Sequence, residues 1–342
     1  LPAAGPVSGG APLTMATAPA ANDNARPSRL GPFLRSPAFG LVLVALLAAA
    51  PAAAILLGQP FWLTMATRVA IFALAALSLS FILGQGGLVS FGHAAPFGIG
   101  AYAVLILADL GFTDALVAFP TAFLAGALFS GVTGTVALRT RGVYFIMITL
   151  ALAQMAFFTF TSLSAYGGDD GMTLWARSTV AGQKWLKNDL TFAYLAIGLL
   201  ALFLVLGNRV LASRFGRVFR GLKENESRLA ALGYDAYPVR LVAYALAGGV
   251  AAVAGALLAN QTEFVSPAYM AWQRSGDLIV MVVLGGLGPL HGAIVGAAVV
   301  LVVEETLSHL TEHWKIIFGP LLILIVLLRG GLIARILGGR RG

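Results

Sequence analysis

The sequence predicts an all-α, polytopic transmembrane helical bundle. Three observations predict it. Of the 342 residues, 59% are apolar and only 11% charged, against about 25% charged in a soluble globular domain. The mean hydropathy is +0.89, and the apolar residues fall in runs of about 18 or more, the length that crosses a hydrocarbon core. Such runs must satisfy their own backbone in lipid, which selects helices. The net charge of +8 is no nucleic-acid signature. It sits mainly at the ends of the runs, where basic residues set orientation and meet anionic membrane lipid. The chain contains no cysteine, which excludes disulfides, thiolate metal sites and cysteine nucleophiles.

In chain order, residues 1–36 are rich in Ala, Pro, Gly and Ser, lack an apolar period and read as a disordered N-terminal tail. No apolar core precedes residue 38, which argues against a cleavable signal peptide. Residues 37–342 form the membrane domain. About eight full spans are expected, near 38–57, 61–83, 93–110, 115–138, 143–164, 190–208, 239–260 and 314–329. A polar loop fills 165–189. Two apolar segments are broken by glycine and read as re-entrant half-spans: 84–98, through Gly84-Gln85-Gly86-Gly87, and 277–308, through Gly285, Gly286, Gly288, Pro289 and Gly292. Basic residues concentrate at 26–35, at Arg139–Arg141, at 209–240 and at the C-terminus (Arg329, Arg335, Arg340, Arg341). Placing these in the cytoplasm puts 16 of 22 Lys and Arg inside, with both termini cytoplasmic. The 277–308 segment must then enter and return on the outer face, and Glu304 and Glu305 read as its wet outer terminus.

Paired breaks in the two halves of a membrane chain point to a midplane substrate pathway. Its candidate residues are Gln85, Ser90 and His93 beside the first break, Gln154 in the fifth span, and Gly285, Gly286 and Gly288 in the second break. Neutral donors and acceptors suit a polar solute. The bland reading is interhelical hydrogen bonding and close packing through small residues. Asp169 and Asp170, among glycines in the outer loop, present carboxylates to a ligand amine or basic partner, or form a solvated turn. His291, His309 and His313 have no metal-site spacing, and no Walker A, Ser-His-Asp or paired-acid motif occurs. No nucleotide site is visible, so the chain is read as no enzyme.

The basic island at 209–240 is also patterned. Phe215, Val218, Phe219, Leu222 and Leu229 form one apolar stripe at helical spacing. A helix over about 213–233 with one apolar and one charged face can dock on a soluble partner or lie on anionic lipid. Pattern alone leaves both open.

The segments GQGGLVSFGHAAPFGIGAY, RTRGVYFIMITLALAQM, GGDDGM, GRVFRGLKENESRLAALGYDAYPVRLVAYALAGGVAAVAGAL and GGLGPLHGAIVGAAVV occur in that order. Together they resemble the LivM-type permease subunits of branched-chain amino acid ABC importers, over residues 40–330. The resemblance implies a bacterial inner-membrane permease. It would pair with a second, homologous permease subunit, two cytoplasmic ATPase subunits that hold ATP and Mg, and a periplasmic solute-binding protein. Residues 216–233 then match the family's coupling helix, with Phe215, Arg217, Val218, Phe219, Leu222, Glu224, Asn225, Glu226, Leu229 and Gly233 expected to dock the ATPase. The family also contains permeases for urea and short amides. A passive small-solute channel is the competing class, and it would need no structured cytoplasmic helix.

Overall fold

The computed structural model describes residues 37–56, 58–175, 177–310, 313 and 316–320. The expected tail over 1–36, the arginine-rich C-terminus and all of the expected span 314–329 except 316–320 lie outside them.

Eleven α-helices are described: α1 (Pro37–Leu56), α2 (Pro60–Ser80), α3 (Ala94–Asp109), α4 (Ala115–Ala137), α5 (Val143–Thr161), α6 (Asp189–Ala212), α7 (Arg214–Glu224), α8 (Glu226–Ala231), α9 (Ala236–Thr262), α10 (Trp272–Gly285) and α11 (Gly292–Leu310). Seven of the described helices are long and apolar enough to cross a membrane: α1, α2 with its extension to Gln85, α4, α5, α6, α9 and α11. The chain is a multi-pass membrane protein. Polar caps start the helices that leave loops. Asp114, Asn188, Ser213, Asn225 and Asp235 each accept a backbone N–H in the first turn of α4, α6, α7, α8 and α9. These caps lie outside the apolar runs, so α6 and α9 begin a few residues before the hydropathy does.

The bundle is built around α2. Of its most apolar window 94% is buried, against 22% for α1 and α5. The peripheral helices turn Leu46, Leu128, Val132, Met147, Met155 and Phe158 outward, each more than half exposed. That surface suits lipid or a membrane partner and would be unstable in water. Helices α3, α4 and α9 pack backbone to backbone, and a Cβ at Gly100 would overlap the Ala252 carbonyl.

The two ends of the bundle differ. One, the basic end, carries the α4–α5 turn, α7 and α8. The other carries the 165–189 loop, tied down by a short antiparallel pairing of Met172–Thr173 with Phe264–Val265. Both glycine breaks reach the basic end, the first directly against α7 and the second through Gln85. The second break is a turn joining two antiparallel helices, one shorter than a full span. At 14 residues α10 is about 21 Å long, whereas α11 at 19 residues has full span length. Gly285 and Gly292 let them meet, since a Cβ at Gly285 would overlap the Gly292 carbonyl. The first break is a π-helical turn, Phe81–Gln85, followed by irregular chain to His93. That chain climbs back beside α2 until His93 reaches Ser78, about 10 Å in from Gln85. It covers part of the crossing, which is why α3 is only 16 residues, about 24 Å, and shorter than the full span expected at 93–110.

Candidate functional site

The irregular segment 86–93 exposes backbone donors inside the bundle, and neighbouring helices supply acceptors. Phe91 N donates to Thr149 Oγ1 of α5 at 3.3 Å, and Ala94 N to Ser275 Oγ of α10 at 2.9 Å. Gly92 N donates to Ser90 Oγ at 3.2 Å, and Ser90 Oγ lies 3.3 Å from Tyr244 Oη of α9. His93 Nε2 lies 2.8 Å from Ser78 Oγ of α2. Four helices thus fasten one unwound strand, as buried backbone at this depth requires. Ser90 and His93 are buried in this network. The sequence left both a solute route and interhelical hydrogen bonding open for them; here both are hydrogen-bonded to neighbouring helices. Gln154 is half-buried on α5, its Nε2 shielded from solvent and without a hydrogen-bond partner among the described residues. It is far in sequence from the breaks and is not brought to them by the lining of the cavities there.

Gln85 does meet the second break. Its Nε2 donates to the Gly288 carbonyl, so the two glycine clusters, 203 residues apart, are joined directly. Around this junction lies a cavity of about 870 Å³ bounded by Gln85, Asn208, Arg220, the 285–290 turn and His291. Gly286 occupies the positive-φ position of the turn, at φ 101°. Gly288 faces open space, whereas Gly285 is a packing contact.

Helix α7 closes this junction from outside. Phe219 is fully buried, stacked between Phe81 (5.5 Å) and Phe215 (6.1 Å). Its ring tip rests on Gly86, where any Cβ would overlap it. Lys223 Nζ donates to the Gly84 carbonyl at 2.7 Å, taking a backbone acceptor that the π-turn leaves open. Arg220 returns to the Leu211 carbonyl at 2.8 Å and fixes α7 to the end of α6. Leu222 is buried, and Phe215 and Val218 are half-buried.

The apolar stripe is therefore spent on the chain's own broken helix. Phe219 and Leu222 are covered by the chain itself, which leaves the outer face of α7 exposed. Glu226 is likewise engaged within the chain. Its two oxygens bind Arg141 at 2.8 Å and Arg240 at 2.9 Å, clamping α8 to the α4–α5 turn and to α9. Asn225 caps α8 by accepting from Arg228 N at 2.9 Å. Half-buried Leu229 folds α8 against Gly221, and Gly233 ends it at φ 83°. Arg217 and Glu224 remain exposed on the outer face. Asp169 and Asp170 are exposed in a tight loop at the opposite end, with Gly167, Gly168 and Gly171 at positive φ.

Sequence reasoning missed Lys223, Arg141, Arg240, Ser78, Thr149, Tyr244 and Ser275 as members of this site. Each lies on a different element from the group it serves. A lysine one turn beyond a buried Phe was the one local hint.

The arrangement links the α7–α8 helix pair to the break of a central span. The fold and site define a multi-pass helical membrane protein whose core helix is coupled to a basic external helix. The chain belongs to the family described as branched-chain amino acid transport system permease component, whose family model matches residues 61–327. Among curated relatives it is similar to the high-affinity branched-chain amino acid transport system permease protein LivM of Escherichia coli (strain K12). Identity there is 29% over 291 residues, covering 78% of this chain and 68% of the relative. LivM of Salmonella typhimurium is 27% identical over the same coverage. LivH of Escherichia coli (strain K12) is 25% identical over 276 residues, 75% of this chain and 88% of the relative. No solved structure matches the chain.

Proposed function

We propose that the chain is the transmembrane permease subunit of an ATP-driven importer of branched-chain amino acids in a bacterial inner membrane. The observation that carries the mechanism is the attachment of α7 to the π-turn of α2. Phe219 on Gly86 and Lys223 on the Gly84 carbonyl make any displacement of α7 a displacement of the break. The break in turn holds the α10–α11 turn through Gln85. A force applied to α7 by a soluble ATPase would reach both broken helices at once.

In this reading the basic end is cytoplasmic. A second homologous permease completes the pathway, and two ATPase subunits bind ATP and Mg. A periplasmic solute-binding protein delivers the solute at the opposite end. The ATPase would rest on the exposed polar face of α7 and α8, around Arg217, Glu224 and Arg228. Support for the solute comes from the family's description and from the LivM and LivH relatives. The test is uptake by proteoliposomes holding the reconstituted complex with its solute-binding protein. The expected result is ATP-dependent accumulation of radiolabelled leucine. Uptake that only equilibrates and ignores ATP would make the chain a passive channel. Accumulation of urea or acetamide instead of leucine would make it an amide permease.

A further inference from the structure

Side chains leave a gap between α4, α6 and α9. Helices α4 and α6 meet there through Phe123 and Phe203, whose rings stand 6.4 Å apart and nearly parallel. Cavities of about 460 and 220 Å³ adjoin at this pair, and both rings line each of them. The first reaches Leu199 of α6 and Val253 of α9. The second reaches Phe81 beside α2, Val210 of α6 and Val250 of α9. Together they form one crevice. Leu124, Leu206 and Leu246 along it are 65%, 45% and 39% exposed, so it opens sideways, on a face of the bundle that meets the bilayer.

The lining decides what can enter. Ser78 is its only polar side chain among the described residues, and that hydroxyl is already bonded to the Ala75 carbonyl and to His93 Nε2. A polar solute finds no partner there, and an unpaired polar group in such surroundings is costly. A second membrane helix, about 10–12 Å across, is too wide for cavities of this volume. A single hydrocarbon chain is not. The length fits as well. From Leu199 to Val210 along α6 the crevice is about 16 Å long, close to the roughly 15 Å depth of one leaflet's hydrocarbon. Basic residues stand at its Val210 end: Arg209 in the last turn of α6 and Arg214 at the start of α7, both exposed.

We propose that the crevice binds one acyl chain of an anionic phospholipid from the leaflet at the basic end, with Arg209 and Arg214 holding the headgroup. Arginines beside a membrane surface attract anionic headgroups, and their stems reach them along apolar surface. The bound chain lies against Phe81, whose ring stacks on Phe219 of α7. It therefore packs behind the joint between α7 and the central break, where an empty crevice would leave the ring without contacts on one side.

The test is photocapture by the assembled complex, purified with the full chain and stripped of most lipid. The probe is phosphatidylglycerol with a diazirine in one acyl chain, added in sub-stoichiometric amount. Adducts, mapped by peptide mass spectrometry, should fall within 119–124, 199–210 and 246–253. Unlabelled phosphatidylglycerol should compete at least about fivefold better than phosphatidylcholine of the same chains, the attraction expected of one arginine near an anionic headgroup. Val250→Phe fills the crevice and shuts out about two methylenes, so capture should fall about tenfold. Arg209→Gln with Arg214→Gln should lower capture of phosphatidylglycerol to that of phosphatidylcholine. Adducts confined to outward residues such as Met147, Met155 and Phe158 of α5 overturn the site, and so does equal competition by the two lipids. Both are read on the unaltered protein. Undiminished capture by a Val250→Phe protein that keeps its melting temperature overturns it as well. A benzophenone maleimide on Leu246→Cys should attach to lipid. Attachment to another subunit instead makes the crevice a seam between subunits, and the proposal fails.

Discussion

Gly86 is the position where one hydrogen atom matters most. The Phe219 ring sits on it and is held between Phe81 and Phe215, so it cannot swing aside. Gly86→Ala should therefore force the ring or α7 outward. Overpacking of this kind costs about 1–3 kcal/mol, to be read as a lower unfolding temperature in detergent. Adding Phe219→Leu should recover part of the loss, because a smaller side chain leaves room for the methyl. No recovery would place the strain somewhere other than this contact. His93 calls for the opposite expectation from an open-route residue. It is enclosed and bonded to Ser78, while Ser78 also donates to the Ala75 carbonyl. His93→Leu should lower stability by about 1 kcal/mol, the usual net worth of one hydrogen bond. Turnover per folded molecule should stay near that of the unaltered protein. A stable His93→Leu protein with lost transport would return His93 to the solute pathway.

At the scale of elements, α7 has two faces with different tasks, and substitutions should separate them. Phe219→Ser with Leu222→Ser removes two buried side chains worth about 1.5–3 kcal/mol each. That change should loosen the permease itself, lowering its melting temperature and folded yield. Arg217→Ala with Glu224→Ala changes the exposed face and costs the permease itself only the solvent-exposed Arg217 bond to the Ala212 carbonyl at 3.0 Å. It should leave the melting temperature unchanged and reduce ATPase recovery in a pull-down. If the outer-face variant recovers ATPase fully, docking lies elsewhere. The stripe at 215–229 was legible because helical periodicity survives in sequence. Its binding face was not, because the surface it covers is a glycine break some 130 residues earlier with no side chains to advertise it. Both breaks were legible as glycine clusters. Glycine marks where a helix can end, however, and says nothing of the depth at which it does. The enclosure of Ser90 and His93 was hidden for a related reason: their partners Tyr244 and Ser78 lie on other helices.

At the scale of the whole molecule, the two-ended charge distribution sets orientation, and the hairpin makes it testable. The turn between α10 and α11 touches Gln85, and Gly84 and Gly86 beside it contact α7, so this turn must lie on the same side of the membrane as α7 and α8. Glu304 and Glu305 lie against Arg68 near the start of α2, so α11 must end on the other side. The absence of cysteine lets single cysteines report position without background. Ala230→Cys on α8 and Gly288→Cys in the turn should both resist an impermeant thiol reagent added to intact spheroplasts. Lys184→Cys in the large loop and Ser308→Cys near the end of α11 should both react, since each of these residues is exposed. After permeabilisation, Ala230→Cys should react as well. Labelling of Gly288→Cys while Ala230→Cys stays protected would put the turn on the outer face, and the junction between the two breaks would then be wrong. Labelling of Ala230→Cys with protection of Lys184→Cys would invert the molecule, and the basic end would face out against the charge rule that places it inside.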